Sequence, residues 1–300
     1  MSRNIKALAA PFLAWALGLC ADAALAELSP PMAAASSVLL PGLGQALSGD
    51  YGTAAAHFGI FAASLATAFH YEDKADFLKD DARYPDSDRE FVNQTTLRAD
   101  FAWRLATDTA LYSSFAAYRD ARERDNRGYR TPVPKESLSD LALSPFRWEY
   151  LSRPTTFVPL AIAAVASFGS KGGYGIYRYD DVSKSDLYVY NFTANEFTAA
   201  GEEGFFRGFL NNELSSRWGN GWGLASSSAL FGIAHTGQGN TANAWQAALA
   251  GAYLGWVHQR NEFQIGEGVA IHYWWNVIAG IAAIRNGGSA PLVSLRLSFN

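Results

Sequence analysis

Residues 187–214 read LYVYNFTANEFTAAGEEGFFRGFLNNEL, a largely apolar stretch that is interrupted by Glu202, Glu203 and Arg207. It is long enough to cross a bilayer, and its Gly and Ala residues allow membrane helices to approach closely. Similar but shorter apolar stretches follow at residues 221–235, 242–258 and 268–284. The pattern predicts an all-α fold, specifically a polytopic helical membrane protein with a polar cavity inside the membrane.

The composition of the chain narrows the function classes. Of the 300 residues, 49% are hydrophobic, and they are grouped in blocks between very polar loops. The mean hydropathy of -0.05 therefore averages two kinds of sequence. A net charge of -4 argues against nucleic acid as a partner. The single cysteine, Cys20, excludes an intrachain disulfide and any site built from several cysteines.

Residues 1–26 have the pattern of a targeting segment. Arg3 and Lys6 give a basic start, an apolar run follows, and Ala24-Leu25-Ala26 resembles a cleavage site. The alternative is an uncleaved first membrane helix. Both interpretations send the chain to a membrane, and we expect the bacterial inner membrane with several crossings.

The next part, residues 27–120, is predicted to be an N-terminal membrane-associated module. Residues 41–45, Pro-Gly-Leu-Gly-Gln, precede an apolar helix and resemble the opening of a small membrane-associated module of unknown function, the DUF5683 type. A Pro/Gly break between two helices explains the motif equally well. Residues 121–153 are predicted to be a polar linker, residues 154–288 a C-terminal domain, and residues 289–300 a tail.

Three polar motifs interrupt the apolar helices of the C-terminal domain. Ionisable groups at membrane depth are expensive, so each motif is by default a functional hypothesis. Residues four apart share a helix face, which pairs Glu203 with Arg207 and leaves Glu202 to face a cavity. The motifs are Glu202-Glu203-Gly204-Phe205-Phe206-Arg207, Phe231-Gly232-Ile233-Ala234-His235 and His272-Tyr273-Trp274-Trp275-Asn276. A carboxylate, two imidazoles and an amide are the groups needed to activate water and stabilise an oxyanion.

The order and spacing of these motifs resemble the signature of the CPBP (Abi) family, which includes the CAAX prenyl endopeptidases. The resemblance covers roughly residues 154–285 and makes residues 154–288 a CPBP-like protease domain with an intramembrane catalytic cavity. It implies that Glu202 is the general base and that His235 helps to hold the water. It also implies that His272 and Asn276 stabilise the oxyanion. The supporting residues are Glu203, Arg207 and Phe231.

A metal is a second mechanistic possibility. Glu202, His235 and His272 could form a zinc site with one open position. No His-Glu-x-x-His motif is present, and the few nearby carboxylates leave the outer shell of such a site thinly supplied. We therefore expect no cofactor, with zinc as the alternative.

Together these features predict an intramembrane endopeptidase in which Glu202 and His235 activate water for attack on a peptide bond. The expected partners are a hydrophobic or lipidated peptide substrate and membrane lipid. One alternative is a non-catalytic CPBP-type immunity factor or membrane scaffold. Another is a soluble periplasmic protein, which would require the apolar helices to form its core.

Overall fold

The computed structural model describes residues 28–80, 89–125, 127–169, 182–236 and 241–285. The predicted targeting segment, residues 1–26, and the predicted tail, residues 289–300, lie outside the described residues. Helices make up most of what is described, and no strand occurs among these residues. The prediction of an all-α fold is confirmed.

The helices are named here in chain order. The N-terminal region contains α1 (Pro30–Leu39), α2 (Leu43–Leu47), α3 (Tyr51–Asp80) and α4 (Arg89–Arg124). Four elements follow, namely α5 (Leu138–Leu143), a 3-10 turn (Ser144–Phe146), α6 (Trp148–Leu151) and α7 (Pro154–Gly169). A continuous helical rod then consists of α8 (Lys184–Glu203), a π-helix (Gly204–Asn211) and α9 (Asn212–Trp218). The last three helices are α10 (Asn220–Ala234), α11 (Thr241–Arg260) and α12 (Gly266–Arg285).

Helix α3 is the one described helix whose length and composition suit a membrane crossing, over Tyr51–Lys79. Helix α7 is apolar but shorter. Several bulky side chains project from the C-terminal helices into the surroundings, including Trp222, Ile233 and Trp245, each more than 60% exposed. Such rings and aliphatic groups suit contact with lipid. The expectation of several crossings stays a prediction.

Helix α4 lies at the centre of the described fold and packs along α8 and the π-helix. Small residues make the close approach possible. A Cβ atom on Gly201 would lie 2.8 Å from the carbonyl oxygen of Asp108, and one on Gly204 would lie 3.1 Å from the Phe115 ring. Gly208 is packed still more tightly against the same ring. The N-terminal region thus forms one wall around the residues that carry the first motif.

The motif at residues 41–45 is a tight turn pinned to α4 by hydrogen bonds. Gly42 has a φ of 89°, a left-handed conformation that favours glycine. The side chain of Gln45 accepts from Ser37 Oγ at 2.9 Å and donates to the Ser113 carbonyl oxygen at 2.9 Å. His57 Nδ1 lies 3.0 Å from Ser113 Oγ. We call Ser37, Gln45, His57 and Ser113 the Gln45 cluster.

Residues 121–153, predicted to be a polar linker, contain short helices that pack against α12. Glu136 Oε1 accepts hydrogen bonds from the backbone N–H groups of Ile265 and Gly266, at 2.7 and 2.9 Å, and so caps the start of α12. Trp274 Nε1 donates to the Pro145 carbonyl oxygen at 2.7 Å. This segment therefore holds in place the helix that carries the third motif, while the domain boundaries themselves stay a prediction.

Candidate active site

Three helices bring the sequence motifs together. Glu202 lies in the last turn of α8, directly before the π-helix. His235 is the residue that ends α10, with a φ of -96° and a ψ of 7°. His272 lies in the second turn of α12. All three helices are needed to bring Glu202, His235 and His272 together, because no single helix carries both a carboxylate and a histidine of the motifs.

Glu202 lies between the two histidines. Its Oε2 atom is 4.0 Å from His235 Nε2 and 3.8 Å from His272 Nε2. The Glu202 side chain is 0% exposed, and the His235 and His272 side chains are 4% and 6% exposed. These separations are too long for direct hydrogen bonds, which are about 2.7–3.2 Å. A small molecule such as water, with contacts of about 2.8 Å to both partners, matches a span of about 4 Å.

The second carboxylate of the first motif, Glu203, contacts the other nitrogen of the His272 ring. Its Oε1 atom accepts from Arg207 Nη1 at 2.9 Å and lies 2.8 Å from His272 Nδ1. Both charged side chains are buried, with Arg207 2% and Glu203 0% exposed. The predicted pairing of Glu203 with Arg207 is present in the structure. It also orients the ring of His272, since an ionised carboxylate only accepts and Nδ1 therefore carries the hydrogen.

Phe231 contacts both His235 and Arg207. Its carbonyl oxygen lies 2.6 Å from His235 Nδ1, and a carbonyl oxygen only accepts, so Nδ1 carries the hydrogen. In neutral His235 this leaves Nε2 as an acceptor facing Glu202. The Phe231 ring lies 4.4 Å from the His235 ring and 4.3 Å from Arg207 Cζ. The aromatic residue of the second motif thus separates the Arg207 charge from the His235 ring.

Asn276 lies one helical turn after His272 on the same face of α12, as the spacing predicts. It is buried, and its Nδ2 atom has no hydrogen-bond partner among the described residues. The structure thus places one nitrogen of His235 and one nitrogen of His272 within 4.0 Å of Glu202 Oε2. Asn276 lies on the helical turn that follows His272.

Sequence reasoning missed the π-helix that follows Glu203. A π-helix is rare, and short π segments occur frequently at functional sites. Here it covers Gly204–Asn211 and carries Arg207 to the site. Gly204 and Gly208 both face the bulky ring of Phe115 on α4, so the pair marks a close approach of the two helices, and no sequence signal marks the π-helix itself. A regular helix with larger residues at these positions would not fit against that ring.

Sequence reasoning also missed Asp108 on α4. Thr198 Oγ1 donates to Asp108 Oδ2 at 2.9 Å, and Thr198 lies one turn before Glu202 on the same face. Asp108 is buried and interacts electrostatically with Glu202. Its presence within the apolar stretch 101–118 of α4 was visible in the sequence, but nothing there showed which helix it would face.

The zinc alternative was tested against the donor atoms of the site. Both histidines have the outer acceptor that zinc ligands need, Phe231 for His235 and Glu203 for His272. A shortage of carboxylates is therefore no argument against zinc. However, tetrahedral ligands about 2.0–2.1 Å from zinc lie about 3.4 Å apart, closer than the separations here. In the part of the chain that the structure describes, no group of three or more His, Cys, Asp or Glu side chains is arranged to hold a metal ion.

Comparison with known proteins agrees with this geometry. Residues 185–278 match the family model described as type II CAAX prenyl endopeptidase Rce1-like. This part of the chain is similar to the Rce1-like family. The matched segment is about a third of the chain, and all three motifs fall inside it. No curated protein and no solved structure matches the chain.

The Rce1-like match confirms the predicted resemblance to the CPBP proteases, and it indicates a protease of a membrane-embedded family. The match begins after α7, so Asp108 and Phe115 of α4 lie outside it. The DUF5683-type resemblance of the N-terminal region stays a prediction. So do the roles of the individual site residues.

Proposed function

We propose that this chain is an intramembrane endopeptidase of the CAAX-protease-like type, which crosses the bacterial inner membrane several times. Its substrates are hydrophobic or lipidated peptides, and membrane lipid surrounds it. One observation carries the proposal. A buried carboxylate and two imidazoles, from three different helices, face a gap of about one water molecule inside an Rce1-like segment.

In this proposal the reaction begins with a water molecule between Glu202 and His235. Glu202 accepts a proton from the water while the water oxygen attacks the carbonyl carbon of the scissile peptide bond. His235 accepts a hydrogen bond from the same water through Nε2, because Nδ1 is held by the Phe231 carbonyl oxygen. When the C–N bond breaks, Glu202 returns the proton to the leaving amine, so protons and electrons balance.

The developing oxyanion needs donors that point at it. His272 and Asn276 fit this role. The Glu203 carboxylate next to His272 Nδ1 compensates a positive charge on that ring, so that Nε2 can carry a hydrogen and donate. Asn276 supplies its Nδ2 amide from the adjoining turn. Arg207 holds Glu203 in place and so acts on the oxyanion through His272.

The alternative of a non-catalytic immunity factor or scaffold is not favoured. A scaffold has no chemical need to bury Glu202, Glu203, Arg207 and two histidines in one place. Buried charges are costly even when they are paired, and removal of one partner typically costs about 3–5 kcal/mol. Groups that are retained at this cost are typical of sites that do chemistry.

The proposal is tested by comparing membrane peptides from cells that carry the wild-type chain or its Glu202→Ala variant. Peptides whose new ends appear only with the wild type identify the substrates. Purified protein in proteoliposomes should then cleave a synthetic version, whereas Glu202→Gln should not. Glu262→Gln is the matched control, since it makes the same chemical change on an exposed side chain. Equal peptide profiles for wild type and Glu202→Ala would reject the proposal, and so would equal cleavage of the synthetic peptide by wild type and Glu202→Gln.

A further inference from the structure

The buried face of α8 is polar. Asn191, Asn195, Thr198 and Glu202 recur at intervals of four, three and four residues, which places them in one line along a helix. Each is at most 2% exposed. A helix buried in an apolar core would carry aliphatic side chains at such positions. We call these four residues the α8 polar face.

Most of the α8 polar face is occupied by hydrogen bonds within the protein. Asn191 Nδ2 donates to the Val277 carbonyl oxygen at 3.1 Å, and Thr198 donates to Asp108. Asn195 differs. The Asn195 Nδ2 atom donates to the backbone oxygen of Asn191 at 2.7 Å and to the side-chain Oδ1 of Asn191 at 3.0 Å. Its own Oδ1, although fully buried, has no hydrogen-bond partner among the described residues. Since the amide is planar, this oxygen is turned away from Asn191.

The position of Asn195 relative to α12 follows from two contacts. The helices run antiparallel, with Glu203 against His272 at one level and Asn191 against Val277 at another. These contacts bracket Asn195 on α8 and Asn276 on α12. Asn276 Nδ2 also lacks a partner in the described part of the chain. One acceptor and one donor are therefore unpaired in the same buried interface, which complements the N–H and C=O groups of a peptide backbone.

We propose that Asn195 binds the main chain of the substrate peptide, with its Oδ1 accepting a hydrogen bond from a backbone N–H group. This inference rests on the proposed function and extends its site. Asn195 precedes Glu202 by seven residues, which is about 10 Å along the helix. An extended peptide covers that distance in about three residues. The contact therefore lies about three residues from the scissile bond and selects an extended backbone whatever its side chains are.

Binding of a peptide with single N-methylated backbone positions tests this assignment. A synthetic lipidated hydrophobic peptide is methylated at one amide nitrogen at a time, and Kd is measured with Glu202→Gln protein, which binds without cleaving. Methylation at one position, about three residues from the cleavage site, should raise Kd about three- to tenfold, which is the effect of one lost hydrogen bond. In the Glu202→Gln/Asn195→Ala protein that sensitivity should disappear. The same profile in both proteins, or no single sensitive position in Glu202→Gln protein, would overturn the proposal.

Thr198→Val provides a matched control on the same face, because its hydroxyl is already bound to Asp108. The N-methyl profile should survive this change. If Thr198→Val erases the profile as well, the effect comes from helix packing and the proposal is wrong. Cleavage of the unmodified peptide by wild-type protein reports separately on the proposed function. An intact profile without any cleavage would keep the Asn195 contact and reject the endopeptidase.

Discussion

The Gln45 cluster and the active site are both buried polar groups built around short glycine-containing motifs, yet their hydrogen bonds differ. In the Gln45 cluster the oxygen and the nitrogen of the Gln45 amide both have partners. In the candidate active site, buried atoms of other residues have no hydrogen-bond partner among the described residues. Examples are His235 Nε2, Glu203 Oε2 and Asn276 Nδ2.

The difference separates a motif that holds the fold from the motifs for which we propose a chemical role. Buried polar atoms are nearly always paired in folded proteins, so a group of exceptions in one place requires an explanation. A reacting molecule that supplies the missing partners is such an explanation. Both motifs are conspicuous in the sequence, and the hydrogen bonds of the folded chain distinguish them independently of any family resemblance.

The largest effect that this comparison predicts is on catalysis. Glu202→Gln keeps the size of the side chain and removes the proton acceptor. We expect cleavage to fall by about 10²–10⁴-fold, the usual contribution of a general base, while the detergent-solubilised protein keeps its melting temperature. Peptide cleavage and thermal unfolding are measured on the same preparation. Activity within threefold of wild type would remove Glu202 from its assigned role.

Glu203→Gln is expected to damage stability and activity together. The change leaves Arg207 as a buried charge that has lost its ionised partner, at a cost of about 3–5 kcal/mol. It also removes the carboxylate that orients His272. Denaturant unfolding in detergent measures the first effect and peptide cleavage the second. Identical phenotypes for Glu202→Gln and Glu203→Gln would contradict the division into base and support.

Gln45→Ala tests whether the Gln45 cluster stabilises the fold without taking part in the reaction. The change leaves Ser37 Oγ and the Ser113 carbonyl oxygen without their present partner, and each buried group left unpaired costs about 1–3 kcal/mol. We expect a lower free energy of unfolding and unchanged kcat in the protein that remains folded. A loss of kcat at full stability would mean that the N-terminal cluster takes part in the reaction.

The sequence was sufficient to predict the helical fold, the three motifs and the pairing of Glu203 with Arg207. These features follow from local rules, because apolar length marks helices and residues four apart share a face. His235 was also predictable as a site residue, but only from its resemblance to a family motif. Its helix of origin and its distance from Glu202 depend on packing between helices.

Other features depend on contacts between distant residues, which no local pattern records. The hydrogen bond between Thr198 and Asp108 joins residues 90 positions apart. Glu136 reaches the start of α12 from 129 residues away. Within residues 121–153, Glu136 binds the start of α12 and the Pro145 carbonyl oxygen binds Trp274, two contacts that the polarity of the segment does not reveal. The packing of Gly208 against Phe115 on α4 likewise joins distant parts of the chain.

Glu136 combines a paired and an unpaired carboxylate oxygen, so it resembles both the Gln45 cluster and the active site. We expect a smaller effect from changing it. One of its oxygens caps α12, and the other has no partner among the described residues. Burial raises the pKa of the Glu136 carboxyl above its ordinary value of 4.5. A raised folded-state pKa means that stability is fully present at low pH and falls as pH rises through that pKa.

Two substitutions separate the cap from the charge of Glu136. Glu136→Ala removes the acceptor of two backbone N–H groups and should lower stability by about 0.5–2 kcal/mol. Glu136→Gln keeps an acceptor and cannot ionise, so its melting temperature should fall less than that of wild type as the pH rises above about 4.5. Thermal unfolding over this pH range measures both effects. Parallel pH curves for wild type and Glu136→Gln would show that Glu136 does not titrate there.

The smallest expected effect is that of metal removal, where no change is predicted. The atoms of Glu202, His235 and His272 are spaced for a bridging water rather than for ligation of one zinc ion. Protein treated with a chelator and then dialysed should cleave its peptide at the untreated rate, and elemental analysis should give well under one zinc per chain. Both histidines do have the outer acceptors that a zinc site would use, so the test is a demanding one. Activity that is lost to the chelator and restored by zinc alone would replace the water-bridged mechanism with a metal-dependent one.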